Sequence, residues 1–157
     1  MAILVFLTAL SLIFSTILTF GTYRTIVVQT APGQKLFLNG KIPAKAPDGT
    51  YHGSVKNLKT SWIGKAFNPK DASGINNFKE QGGIVKKYPF KTYVGRGIQD
   101  KGKDVLKIDY NIPGNPLWLR FILDEVVETK PNKLLGKLHI RILPGLAFSL
   151  GYFNLEK

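Results

Sequence analysis

Leu134 to Leu155 reads LLGKLHIRILPGLAFSLGYFNL, and its patterning decides the fold class. Leu134, Gly136, Leu138, Ile140 and Ile142 alternate with Leu135, Lys137, His139 and Arg141. Successive side chains of a strand point to opposite faces, so this period of two predicts a strand with one apolar face. Pro144-Gly145 breaks the run and predicts a turn. Beyond it, Leu146, Phe148, Leu150 and Tyr152 alternate with Ala147, Ser149, Gly151, Phe153 and Leu155. That strand is apolar on both faces. A barrel interior on one side and a helix, a bilayer or a partner on the other would suit it.

The same grammar extends towards the N-terminus. In Val105 to Ile112, Leu106, Ile108, Tyr110 and Ile112 share a face, and Val105, Lys107 and Asp109 share the other. Further strands are predicted at Lys35 to Leu38, Thr50 to Lys56, Lys59 to Phe67, Tyr88 to Arg96 and Leu117 to Glu128. Asn39-Gly40 and Asp48-Gly49 are hairpin signals, because both positions tolerate positive φ. Asp100-Lys101-Gly102, Pro113-Gly114-Asn115-Pro116 and Pro131-Asn132 punctuate the rest. Asn68 to Gly83 reads as an irregular connection, and Thr25 to Thr30 as either a strand or the end of the preceding helix. No sustained helical period follows residue 22. The expectation is a mainly β fold, an antiparallel up-and-down barrel of about eight strands over residues 23–157.

Residues 1–22 differ in kind. Every charged side chain lies at or after Arg24, and Ala2 to Phe20 is apolar apart from Thr and Ser. That length suits a helix crossing a hydrocarbon core of roughly 30 Å. No Lys or Arg precedes the run, and Thr19-Phe20-Gly21 is a poor cleavage site, so a single-pass transmembrane anchor is expected ahead of a signal peptide. Arg24, Lys35, Lys41 and Lys45 follow before the first acid, Asp48. The positive-inside rule then places the domain on the cytoplasmic side. Cleavage would instead leave it periplasmic or secreted.

Composition narrows the function. The chain has 157 residues, one domain's worth, with 44% hydrophobic residues, enough for a core. It has no cysteine, which excludes disulfide scaffolds, Cys-ligated metal centres and thiol nucleophiles. Lys and Arg number 22 against 10 Asp and Glu, a formal charge of +12. Many of these residues flank turns: Lys86, Lys87, Lys101, Lys103, Lys130, Lys133, Lys137 and Arg141. A membrane partner accounts for such scattered charge more simply than nucleic acid does, for which Tyr88, Phe90, Tyr93 and Arg96 form only a weak set. No nucleic-acid partner, cofactor or metal is expected. His52 and His139 lie on separate strands without neighbouring ligands, and no spacing selects an acid–base pair, so no enzyme activity is expected.

One constellation stands out. In Leu117 to Glu128, Trp118, Arg120, Ile122, Asp124 and Val126 share a face if the run is one strand. Arg120 and Asp124 then sit among bulky apolar neighbours, where an unpaired charge is costly. Arg120 is expected either to pair with Asp124 or to bind an anionic group of a ligand, with Trp118 as apolar wall. Trp118, Arg120 and Asp124 are the candidate ligand-binding residues.

Gly49-Thr50-Tyr51-His52-Gly53 and Ser61-Trp62-Ile63-Gly64-Lys65 each set an aromatic residue among small ones in an early strand. They resemble the Gly-x-Trp signature of lipocalins and other calycin barrels. Trp62-Ile63-Gly64-Lys65 is also similar to the Trp-x-Gly-Lys core of a group of small uncharacterised barrel proteins, with Thr60 or Ser61 where that group has a preceding Gly. The run from Asp109 to Lys137 looks like the later half of such a barrel. The resemblance implies an up-and-down barrel around a hydrophobic cavity, no catalytic residue, and Trp62 as a structural plug across the closed end. A lipid or other hydrophobic small molecule is then the expected ligand. The competing expectation is a structural or assembly protein whose barrel is filled by its own side chains. Gly64, Gly95, Gly136 and Gly151 within strands leave room for a cavity, or mark bulges.

Overall fold

The computed structural model describes all of residues 1–157. Helix α1 spans Ala2–Thr30 and helix α2 Pro32–Asn39. Eight strands follow: β1 Gly49–Ser54, β2 Trp62–Asn68, β3 Ser73–Glu80, β4 Gly83–Arg96, β5 Asp104–Asp109, β6 Ile122–Lys130, β7 Lys133–Leu143 and β8 Leu146–Glu156. Each pairs antiparallel with the next, and β1 closes on β8 through His52–Glu156, Gly53–Leu155 and Ser54–Asn154. The expected mainly β, up-and-down barrel with a preceding apolar helix is the architecture seen. Only these three pairs join β1 to β8, so residues 146–153 of β8 have no partner on β1 and that edge is met in part by α1.

Two expected elements differ. Lys35 to Leu38 is helical and lies in α2, not a strand. Pro32 sits in the first turn, where its missing N–H costs nothing. Gly40 ends that helix against Val127: a Cβ on Gly40 would stand 2.5 Å from the Val127 methyl. The missing strand is β3, inside the stretch read as irregular. Its inward residues include Gly74 and Asn76, so the apolar alternation that marks a strand is absent. Thr25 to Thr30 belongs to α1, which runs on past residue 22 without a break.

Inside the barrel, one end is filled. Tyr51, Phe67 and Phe90 stack edge to face, with centroids 5.5 and 5.4 Å apart, and Leu106, Val126, Leu134 and Leu155 belong to the same buried cluster. Each such aromatic pair adds about 0.5–1.5 kcal/mol beyond its buried area. Gly136 does not leave room, as a cavity glycine would: the Phe153 ring occupies the space, 2.0 Å from where a Cβ would be.

The outside of β5–β8 is also covered. Leu18, Gly21, Thr25 and Val28 recur at helical spacing and are the α1 positions turned to the barrel, while residues 1–17 are exposed throughout. Gly21 lets α1 approach Phe148; the Ser149 N–H donates to Thr25 Oγ1 (3.0 Å), Arg24 donates to the Leu150 carbonyl, and Tyr152 donates to the Val28 carbonyl (3.3 Å). Beneath the helices and the 97–103 loop lies a buried polar layer. Lys137 meets Asp100 (2.6 Å) and Gln34 (2.7 Å), and Glu125 meets His139 (3.2 Å) and Lys107 (3.2 Å). The face of β7 that carries Lys137 and His139 is thus an internal seam, and both residues are fully buried.

Candidate functional site

The other end of the barrel holds a cavity of about 510 Å³, and ten of its thirteen lining residues are hydrophobic. Trp62, Phe78, Tyr88, Trp118, Ile122 and Phe153 form most of its wall. Trp118 is 60% exposed, so the cavity reaches solvent at its rim. Its size and lining suit a small-molecule pocket, a few polar groups set in an apolar wall.

The polar groups converge at its floor. A β-bulge between Trp62 and Gly64 shifts the β2 alternation by one residue, so Trp62 and Lys65 both face inward. Gly64 makes this feasible. Its φ is +135°, and a Cβ there would lie 2.0 Å from the Tyr51 carbonyl oxygen. Lys65 Nζ lies 3.0 Å from Asp124 Oδ2 on β6 and donates to Asn76 Oδ1 on β3 (2.9 Å) and to the Tyr110 hydroxyl. Tyr110 in turn donates to Asp124 Oδ2 at 3.2 Å. Trp62 Nε1 donates to Asn76 Oδ1 at 3.0 Å, and Asn76 Nδ2 donates to the Tyr88 carbonyl at 3.0 Å. Tyr88 reaches that position as the extra residue of a second bulge, with φ of 62°.

Lys65, Asn76, Tyr110 and Asp124 are each at most 4% exposed. The rings of Trp62, Phe90, Tyr110 and Phe153 surround the ammonium at 5.1–5.4 Å, where aromatic faces attract a cation. Burial pushes the Lys65 pKa down, and the Asp124 carboxylate opposes that shift without cancelling it. Burial, with Asp124 beside it, pushes the Tyr110 hydroxyl well above its ordinary range. The hydroxyl therefore stays protonated and acts as a donor. All three Lys65 donors are engaged, but Asp124 Oδ1 is buried with no hydrogen-bond partner. The floor is a neutral ion pair with one spare acceptor.

The expected site is partly reassembled. Trp118 and Asp124 line this cavity, as does Trp62. Trp62 is a wall residue near the open end and does not plug the filled end, which Tyr51, Phe67 and Phe90 close. Arg120 does not meet Asp124. Leu119–Phe121 is a 3₁₀ turn, so the alternation assumed from Leu117 starts only at Ile122. Arg120 Nε donates instead to Asn111 Oδ1 (2.9 Å), beside a separate surface groove of about 670 Å³ that Leu117, Phe121, Arg141 and Leu143 also line. The guanidinium that forms a fork is Arg141, bidentate to Asp109 at 2.7 and 3.0 Å. Arg141 also donates to the carbonyls of Arg120 and Ile122, pinning the 3₁₀ turn to the barrel. His52 is exposed on β1, and His139 contacts Glu125 and Ser149.

Sequence reasoning missed Lys65, Asn76 and Tyr110 as a group. They come from three strands, and strict alternation from Trp62 puts Lys65 outside. The one local signal was Gly64 between Trp62 and Lys65, because a glycine within a strand marks a bulge. No family model, curated protein or solved structure matches this chain.

Proposed function

We propose that this chain is a membrane-anchored barrel module that binds a lipid or other hydrophobic small molecule, polar end inward. One observation carries the reading: an apolar cavity that ends on the Lys65–Asp124 pair with Asp124 Oδ1 unpartnered. The ligand's buried end is a neutral hydrogen-bond donor, a hydroxyl or an amide. An anionic end would meet the Asp124 carboxylate, while Lys65 has no donor to spare. The lipocalin-like features of Trp62-Ile63-Gly64-Lys65 support a cavity-bearing barrel. In this reading the module binds and does not catalyse, with Lys65, Tyr110 and Asp124 serving as the polar floor of the cavity.

The anchor rests on α1, the one helix long and apolar enough to cross a membrane. Its continuity through Gly21 supports retention, since the candidate cleavage site lies inside a helix packed on β8. The positive flank from Arg24 onward orients the barrel to the cytoplasmic side. The filled end, with Tyr51, Phe67 and Phe90, favours the structural-protein alternative, in which the remaining cavity is incidental.

The test is quenching of the full chain in detergent by a bromine-labelled long-chain alcohol and by the corresponding fatty acid. A variant with Trp118→Phe leaves Trp62 as the single reporter, because the chain has two tryptophans. Saturable quenching by the alcohol, weaker for the acid, is expected. No saturable quenching by either probe refutes the reading, and preference for the acid refutes the neutral-donor assignment.

A further inference from the structure

In an up-and-down barrel every second connection emerges at the same end. Four connections, β1–β2, β3–β4, β5–β6 and β7–β8, emerge at the cavity mouth, and each carries exposed large apolar side chains in itself or within two residues of it. These are Leu58 in the first, Ile84 at the second, Leu117, Trp118 and Phe121 in the third, and Leu143 at the fourth. Their exposures run from 43% to 69%. The three connections that leave from the filled end, residues 69–72, 97–103 and 131–132, carry none. Exposed lysines flank the mouth tips, Lys56 and Lys59 beside Leu58, and Lys79 and Lys86 around the β3–β4 hairpin. Basic residues occur at both ends of the barrel, and Leu36 and Leu38 of α2 are exposed beside the 97–103 loop, so the mouth is distinguished by apolar side chains on all four of its connections and not by charge.

Helix α1 leaves from this same end. It runs along β8 in the strand's own direction, with Gly21 at Phe148 and Val28 at Tyr152, so the residues before Gly21 project past the start of β8. The register carries the level of Gly21 around the wall: Phe148 pairs with Ile140, and Ile140 with Ile122, a cavity residue beside the 3₁₀ turn. Phe20 and Tyr23, both exposed, mark the boundary between the apolar run and Arg24, a position where aromatic residues favour a membrane interface. An apolar tip set rimmed by lysines, at the end where an apolar helix departs, fits one partner best.

We propose that the mouth of the barrel is a membrane-docking face, which seats on the phospholipid leaflet that α1 enters and opens the cavity directly to lipid. This rests on α1 being an anchor, and it adds the route by which the ligand enters: laterally from the leaflet, not through water. The apolar tips insert among the acyl chains near the headgroups, and the lysines meet phosphate groups.

The test places the full chain in phosphatidylcholine–phosphatidylglycerol vesicles whose acyl chains carry bromine, a short-range quencher of tryptophan. Trp118 is read alone in a Trp62→Phe variant. The β3–β4 tip, away from the cavity wall, is read with Ile84→Trp in a Trp62→Phe, Trp118→Phe background. Val94→Trp in that background reads the filled-end half of β4, which is also exposed. Docking predicts that the chain floats with the vesicles, that positions 118 and 84 lose most of their emission, and that position 94 keeps it. Leu117→Asp with Phe121→Asp should restore much of the Trp118 emission while flotation persists. A chain that floats with positions 84 and 118 unquenched overturns the docking face and leaves the anchor standing, as does equal quenching at 84 and 94. A chain that does not float overturns both. Trp62 emission in a Trp118→Phe chain on the same vesicles reports chain entry into the cavity, so binding is scored separately from docking.

Discussion

Lys65 on β2 and Asp124 on β6 meet inside the barrel, Nζ to Oδ2 at 3.0 Å, each only 2% exposed. The two strands are far apart in sequence and not paired in the sheet; the contact crosses the interior. Removing one partner strands the other charge in an apolar site. Lys65→Met or Asp124→Leu alone is therefore expected to cost about 3–5 kcal/mol, and the double variant to recover much of that loss. Urea unfolding of the three variants measures the coupling directly. Additive losses would show that the two charges do not depend on each other.

Arg120→Ala should change stability by no more than about 0.5 kcal/mol, as is usual for a surface position. Its one side-chain partner is Asn111, at an exposed site. In the Trp118→Phe background it should also leave binding of the brominated alcohol unaffected, whereas Leu138→Phe, which fills a cavity-lining position without adding a tryptophan, should abolish that binding. Titrating Trp62 emission in both variants checks this pair of outcomes.

Gly64 has no substitute. Its positive φ and the Tyr51 carbonyl in the place of a Cβ mean that Gly64→Ala must reset the bulge. Strain at such a position costs on the order of 1–3 kcal/mol before the clash is counted. Resetting the bulge turns Lys65 towards the outside, so the alanine variant should lose probe binding along with stability. A chemical-denaturation curve together with the quenching titration decides it.

Gly21→Leu tests the docking of α1 on the barrel. Phe148 ring atoms lie 2.3 Å from the position of a Cβ on Gly21. The substitution should lift α1 from β8 and free the hydrogen bonds of Thr25 and Arg24 while the barrel stays closed. Trypsin should then cut after Arg24 and Lys35 several-fold faster than in the parent, leaving a resistant core. Unchanged cleavage would mean that the helix and β8 are not packed as described.

Acid sensitivity should trace to the outer seam. Burial pushes the Asp109 carboxyl up, but the Arg141 guanidinium, the Asn111 N–H and the Tyr93 hydroxyl outweigh it and hold it below its ordinary 3.8. Burial likewise raises Glu125, and His139, Lys107 and the Ile98 N–H together hold it below 4.5. A carboxyl lowered in the folded state binds fewer protons there than when unfolded. Its stabilisation is present above the unfolded value and is lost as pH falls through the lowered native one. Tm should therefore fall as pH drops below about 4.5, and less steeply in Asp109→Asn. Parallel Tm–pH curves for the two proteins would contradict this.

Much of the architecture was legible in residue order because it depends on local periodicity. Alternation in Val105 to Ile112, Leu134 to Ile142 and Leu146 to Leu155, with Pro-Gly and Pro-Asn between, is enough to specify antiparallel strands, since a strand repeats every two residues wherever it lies. The uncharged run before Arg24 specified an apolar helix for the same reason. What escaped was what depends on neighbours in space. β3 was invisible because its inward Asn76 belongs to the polar floor and erases the pattern. Arg120 and Asp124 looked like a pair because they are four residues apart, but a 3₁₀ turn comes between them. Strict alternation from Trp62 would put Lys65 outside, but a single bulge at Gly64 reverses the side of every later residue in β2. Side-chain type and spacing determine whether a segment is a strand. Which charges meet inside the closed barrel is decided by bulges and register, since a shift of one residue exchanges inside for outside.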